Sequence, residues 1–279
     1  MGPCMRGRVE TVGRRSSLLH GLVFTGDVFG EAFDDLANEG RVVVPDLLGF
    51  GRSLDANRDS FTADDQLDAL DRLAEHLGLF DCRWVIGAHS MGSPLAVRWA
   101  ARHEERVERV VGWGAPMYES PEAATAGLAG DLMGELFALD TRWAEAACAV
   151  SCRHRTLAGW ITAAAKPTLP VPISRAVSHH TWPACRDSVQ YLVMDVEWHA
   201  LLAAPDRAGT PVELVWGAND VIGDVEYART VIDQGEHSRV TLVPEVDHYL
   251  PLTNPAICLS QLLNRPQSTG DEISRRRPS

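Results

Sequence analysis

Trp84-Val-Ile-Gly-Ala-His-Ser-Met-Gly-Ser93 is the stretch on which the fold turns. Trp84 to Gly87 reads as a strand, and Met91 to Arg102 carries a helical pattern. Ser90 therefore falls where a strand ends and a helix begins. A side chain there occupies a cramped turn, and small residues two before and two after it, Ala88 and Gly92, leave the room it needs. The first amides of the helix, with its positive dipole end, face the same spot and would stabilise an oxyanion formed there. A serine that merely caps the helix would look the same in this stretch alone.

Outward from that junction, short apolar runs alternate with helical patterns, the signature of β-α units on a mostly parallel sheet. Leu18-Leu19 ends one strand, and Asp27 to Asn38 reads as a helix. Arg41 to Pro45 reads as a buried strand. Phe61 to Leu79 reads as a helix opened by Thr62, with Leu67, Leu70, Leu73 and Leu77 on one face. Val107 to Trp113, Val212 to Trp216 and Val240 to Val243 follow as strands, and Asn254 to Leu263 closes the chain as a helix.

Between residues 121 and 204 the alternation stops in favour of Ala-, Leu- and Trp-rich helical patterns, so an inserted helical cap is expected there. The core is assigned to 17–120 and 205–265. Residues 1–16 form an atypical N-terminal segment, and 266–279, polar and ending near Arg275-Arg-Arg277, read as a disordered tail.

A serine nucleophile is inert without a base, and the base needs an orienting carboxylate. Val212-Glu-Leu-Val-Trp-Gly-Ala-Asn-Asp220 is a strand, a small-residue turn and an acid, with Asp224 as the fallback. Thr241-Leu-Val-Pro-Glu-Val-Asp-His248 is a strand, a turn and the best placed of the ten histidines. Ser90, Asp220 and His248 are thus the candidate catalytic residues, in the order nucleophile, acid, base. His89 is expected to point across the turn, away from the nucleophile. After the first strand, His20-Gly21 gives a tight turn that can present the Leu22 amide beside that of Met91, a candidate oxyanion hole of two backbone donors.

Composition excludes several other classes. With 279 residues, 45% hydrophobic and 23% charged, the chain can bury a large core. A formal charge of -12 with scattered arginines argues against a nucleic-acid partner. Arg14-Arg15 and the apolar residues behind it resemble a twin-arginine signal, but the run is broken by His20 and closed by Asp27, and no stretch is long enough to span a membrane. A cytosolic protein is expected. The six cysteines show no paired metal spacing, and Cys148 and Cys152, four apart, read as core-facing thiols of one helix face. No metal and no cofactor is expected.

Taken together, His20-Gly21, Pro45-Asp-Leu-Leu-Gly-Phe-Gly-Arg-Ser53, Ala88-His-Ser-Met-Gly92, Trp216-Gly-Ala-Asn-Asp220 and Asp247-His248 resemble, in order and spacing, the α/β-hydrolase superfamily across about residues 17 to 265. The resemblance implies a mostly parallel sheet flanked by helices and a Ser-His-Asp hydrolase acting on a small-molecule acyl substrate, first of all a small carboxylic ester. It leaves two alternatives, carbon-carbon bond hydrolysis of a vinylogous diketone and non-catalytic binding of a small ligand. Relatives that open epoxides or haloalkanes place Asp where Ser90 stands. Met133, Leu136, Trp143, Trp160, Trp182 and Tyr191 suggest an apolar pocket in the cap, with Trp143, Trp160 and Trp182 as substrate contacts. Three departures stand out. Ala88 replaces a usual Gly, Asp247 precedes the base where Gly is frequent, and only about twenty residues precede the His-Gly turn. The first edge strands are therefore expected to be missing, which leaves an exposed sheet edge or a homodimer contact.

Overall fold

The computed structural model describes residues 14–128, 141–167 and 169–263. Six parallel strands form one sheet in the order β2-β1-β3-β4-β5-β6: β1 (Arg14–Leu19), β2 (Gly40–Val43), β3 (Trp84–His89), β4 (Val107–Trp113), β5 (Val212–Gly217) and β6 (Ser238–Val243). Strand alternation divides β3 between two cores. Trp84, Ile86 and Ala88 pack on one side with Leu67 and Leu70 of α1 (Ala63–His76), with Leu95 and Trp99 of α2 (Gly92–Arg102), and with Val110, Leu214 and Trp216. Val85 packs on the other with Leu18, Phe29, Phe33, Leu36, Val111, Trp113 and Val215. A sheet covered on both faces explains why β3 and β5 are buried at every position.

The order of strands locates a crevice. From β1 the chain steps outward to β2, then returns to place β3 on the other side of β1, so the winding reverses between β1 and β3. Loops leaving the carboxyl ends of two strands at such a reversal diverge and leave an open site. Here they are His20–Leu22 after β1 and Ser90–Met91 after β3.

Two elements differ from the sequence expectation. Asp27 to Asn38 is not one helix but two 3₁₀ segments, Gly26–Phe29 and Glu31–Asn38, parted by Gly30 at φ +60°. The left-handed glycine interrupts the hydrogen-bond run while Phe29, Phe33 and Leu36 still reach the core. The run Arg41 to Pro45 is not buried either: β2 is the sheet edge, half-buried, with Val44 39% exposed. Among the described residues no strand pairs with its outer side.

Helix α1 begins as expected, with Thr62 and Asp65 satisfying each other's backbone amides in a capping box. Between β4 and β5 the described residues are helical: α3 (Pro121–Leu128), α4 (Thr141–Arg153), α5 (Arg155–Ala165), α6 (Val171–Ala176), α7 (Trp182–Val189), a π turn over Gln190–Met194, and α8 (Trp198–Arg207). The last three helices are α9 (Val225–Ile232), α10 (Leu250–Thr253) and α11 (Pro255–Leu263). Trp113 Nε1 donates to Gln261 Oε1 at 2.8 Å, which ties α11 to the central sheet. The tail from 266 to 279, the segment 1–13 and the residues Met133 and Leu136 lie outside the described residues. Among the described residues, no helix is long and apolar enough to cross a membrane.

Candidate active site

Ser90 has φ +50°, a left-handed conformation that a serine rarely adopts. The turn is held there by its surroundings. Ser90 N–H donates to Trp113 O at 2.7 Å, anchoring the end of β3 to β4, and Ser93 N–H donates to Ser90 O at 2.8 Å as α2 begins. A Cβ on Gly92 would fall 2.6 Å from Leu19 O, so only glycine lets the helix start this close to β1.

The loops after β5 and β6 are pinned to each other. Ala218 N–H donates to Val243 O and Asn219 N–H to Val246 O, both at 2.8 Å, and a Cβ on Gly217 would fall 2.1 Å from Val246 O. This brings Asp220 and His248, from separate loops, into contact. His248 Nδ1 lies 3.0 Å from Asp220 Oδ2 and 3.1 Å from Oδ1, and His248 Nε2 lies 3.1 Å from Ser90 Oγ. The Asp220 side chain is 1% exposed and also accepts from Ile222 N–H at 2.8 Å. An ionised carboxylate can only accept, so Nδ1 carries the proton and Nε2 is left to accept from the serine hydroxyl. Asp224, the fallback acid, instead caps α9 by accepting from Tyr227 N–H at 3.0 Å. Asp247 is exposed, and its carboxylate accepts from Tyr249 N–H at 2.9 Å within its own turn.

The turn after β1 lies directly against the serine: a Cβ on Gly21 would fall 3.0 Å from Ser90 Cβ. His20 fixes that turn. It is fully buried, with Nδ1 donating to Gly21 O and Nε2 accepting from Leu47 N–H, each at 2.8 Å. Burial lowers its pKa to about 4, so the ring is neutral. Among the described residues neither the Leu22 nor the Met91 amide has a backbone acceptor.

Two participants had no chemical signature in the sequence. Gly114, just past β4, has φ +60°, and a Cβ there would fall 2.9 Å from His248 Nδ1 and 3.0 Å from Asp220 Oδ2. The one available signal was a glycine at a strand's carboxyl end. His89 does leave the nucleophile side of the turn, but its ring then packs on His248 at 4.9 Å between centroids, with Nε2 2.9 Å from His248 O. Burial lowers its pKa to about 3, so Nε2 as N–H donates to that carbonyl from a neutral ring.

The tryptophans are placed less tellingly. Trp143 on α4 is 74% exposed, and Trp160 on α5 is half exposed beneath the Arg175 guanidinium, 5.0 Å from its ring. Trp182 opens α7 and is half-buried. Away from this site, Cys148, Cys152 and His180 form a group of potential metal ligands.

A family model described as the α/β hydrolase fold matches residues 18–138. The esterase of Thermogutta terrifontis superposes with a TM-score of 0.66 at 20% identity, covering 91% of this chain and 89% of that one. The enol-lactonase of Burkholderia xenovorans LB400 does so with 0.66 at 18% identity, over 93% and 94%. This chain has the α/β-hydrolase fold. Among the curated relatives, the cis-3-alkyl-4-alkyloxetan-2-one decarboxylase of Xanthomonas campestris pv. campestris is 23% identical over 255 residues, covering 84% of this chain and 81% of that protein.

Proposed function

We propose that the chain is a serine hydrolase cleaving a small carboxylic ester through an acyl-enzyme. The observation that carries this reading is the unbroken chain of contacts from Asp220 through His248 to Ser90, built from three separate loops. His248 Nε2 takes the hydroxyl proton as Ser90 Oγ bonds to the ester carbonyl carbon, and Asp220 holds the resulting imidazolium. The Leu22 and Met91 amides receive the oxyanion. Collapse of the adduct expels the alcohol, which takes the proton from His248. Water, deprotonated by the same Nε2, then attacks the acyl carbon, and the acid leaves as Ser90 recovers its proton. The helices between β4 and β5 act as a cap over the crevice.

Cyclic esters belong to the same class, since attack on a lactone carbonyl opens the ring and leaves the acyl group on the serine. The Xanthomonas relative is named for an oxetan-2-one, a four-membered lactone. Stopped-flow hydrolysis of p-nitrophenyl acetate and butyrate, with a β-lactone alongside, tests the reading. A burst of nitrophenol equal to the enzyme, absent in Ser90→Ala and accompanied by a loss of turnover on the order of 10⁴ or more, is expected. Equal turnover by Ser90→Ala would refute it.

A further inference from the structure

We infer that Cys148, Cys152 and His180 form a binding site for a thiophilic divalent cation of the zinc type, outside the hydrolytic site and independent of its reading. The two cysteines are four residues apart on α4, so both thiols leave the same helix face. His180 arrives from the turn before α7, and the three ligand atoms all lie within 4.8 Å of one another.

The spacing is that of ligands around a shared ion. Cys148 Sγ lies 3.5 Å from Cys152 Sγ and 3.5 Å from His180 Nε2. With metal-sulfur bonds of about 2.3 Å and metal-nitrogen bonds of about 2.0 Å, a tetrahedral ion separates two sulfurs by about 3.8 Å and a sulfur from a nitrogen by about 3.5 Å. Two of the three separations lie within a few tenths of an ångström of those values; Cys152 Sγ, which donates to His180 O at 3.0 Å, lies within 4.8 Å of Nε2 and turns inward to close the site.

The imidazole is set for the task. His180 Nδ1 faces Val177 O at 2.9 Å, and a carbonyl can be met only by the N–H. That leaves the Nε2 lone pair directed at the thiols, the arrangement in which an outer hydrogen bond fixes the tautomer of a metal-bound histidine. Arg155 holds the same turn from outside, with Nε donating to Ser178 O at 3.2 Å and a terminal nitrogen to His180 O at 3.4 Å. Both thiols lose their protons to solvent on binding, so two thiolates offset the dication, and water fills the fourth position. Cys185 is fully buried on α7 and is not one of the three.

Binding would join the helical segment to the core. His180 bridges Phe50 in antiparallel fashion, and Gly51 N–H donates to His179 O at 2.7 Å. The loop so engaged is the one whose Leu47 amide donates to His20. An ion here clamps α4 to the loop that supports the turn beside Ser90.

The experiment is cobalt(II) titration of the full chain, reduced and freed of metal, followed by absorption. A tetrahedral thiolate site is expected to give intense visible bands and a near-ultraviolet thiolate-to-cobalt transition saturating at one ion per chain. Both are lost in Cys148→Ser and in Cys152→Ser, near-isosteric changes whose folding is checked by circular dichroism, and both persist in Cys82→Ser. Zinc is expected to bleach the bands and to raise the melting temperature of the wild type only. Absence of the bands in the folded wild type, or their persistence in the Cys148→Ser/Cys152→Ser double variant, overturns the inference. So does loss of two mass units to a Cys148-Cys152 disulfide in a protein that, once reduced, binds no cobalt.

Discussion

Gly114 and His248 are in such close contact that a single added methyl group would collide: a Cβ at Gly114 would lie 2.9 Å from His248 Nδ1 and 3.0 Å from the carboxylate that orients it. The end of β4 is thus the floor on which Asp220 and His248 meet.

Gly114→Ala is expected to lower kcat by on the order of 10², because small displacements of reacting groups carry penalties of that size. The left-handed φ of +60° adds about 1 kcal/mol of backbone strain. Steady-state kinetics beside urea denaturation separate the two effects. Wild-type kcat in a folded Gly114→Ala protein would remove Gly114 from the site.

His89 meets His248 from its backbone side. His89→Phe keeps the ring volume but leaves His248 O without its donor, a loss of about 1 kcal/mol for a part-buried acceptor. A fall in kcat of roughly tenfold with KM nearly constant is expected, since the loop carrying His248 loosens while substrate contacts stay. An unchanged kcat would confine His89 to packing.

Stability should fall on mild acidification. Burial holds His20 at about 4 and His89 at about 3, against about 6.5 for an unfolded histidine. Between those values the unfolded chain binds more protons than the folded one. Stability is therefore fully present above about pH 6.5 and is lost as pH falls toward 4, by on the order of 3 kcal/mol from His20 alone. Urea midpoints at pH 7.5 and pH 5 measure it, and a shallower fall is expected in His20→Gln. Equal midpoints at the two pH values would contradict the buried neutral imidazoles.

The geometry of the candidate site was legible because its three residues sit at strand ends, and strand ends are written in the sequence as apolar runs closed by small residues. Ser90, Asp220 and His248 each follow such a run, and the structure brings them together. Gly114 was not legible, since it contributes no side chain and matters only for what two loops more than a hundred residues later bring to it. His89 escaped for a related reason: alternation gives the direction of a side chain, not the carbonyl it meets. The Cys148-Cys152 spacing was visible, but its third partner lies 28 residues beyond Cys152, across a turn.

Fold errors were of the same kind. Phe29, Phe33 and Leu36 suit either an α-helix or two 3₁₀ turns, and the choice fell to Gly30. Val42-Val-Val44 has the composition of a buried strand, yet its place at the edge is decided by topology, which no short window contains.

Mass-spectrometric mapping of a fluorophosphonate adduct is the most direct measurement, because phosphonylation requires a serine made nucleophilic by its neighbours. One adduct per folded chain is expected, on the peptide containing Ser90, forming at least about a hundredfold more slowly in His248→Ala and more slowly also in Asp220→Asn. A folded wild-type protein left unlabelled at Ser90, or labelled there as fast in His248→Ala, would contradict the assignment of Ser90, His248 and Asp220 as nucleophile, base and acid.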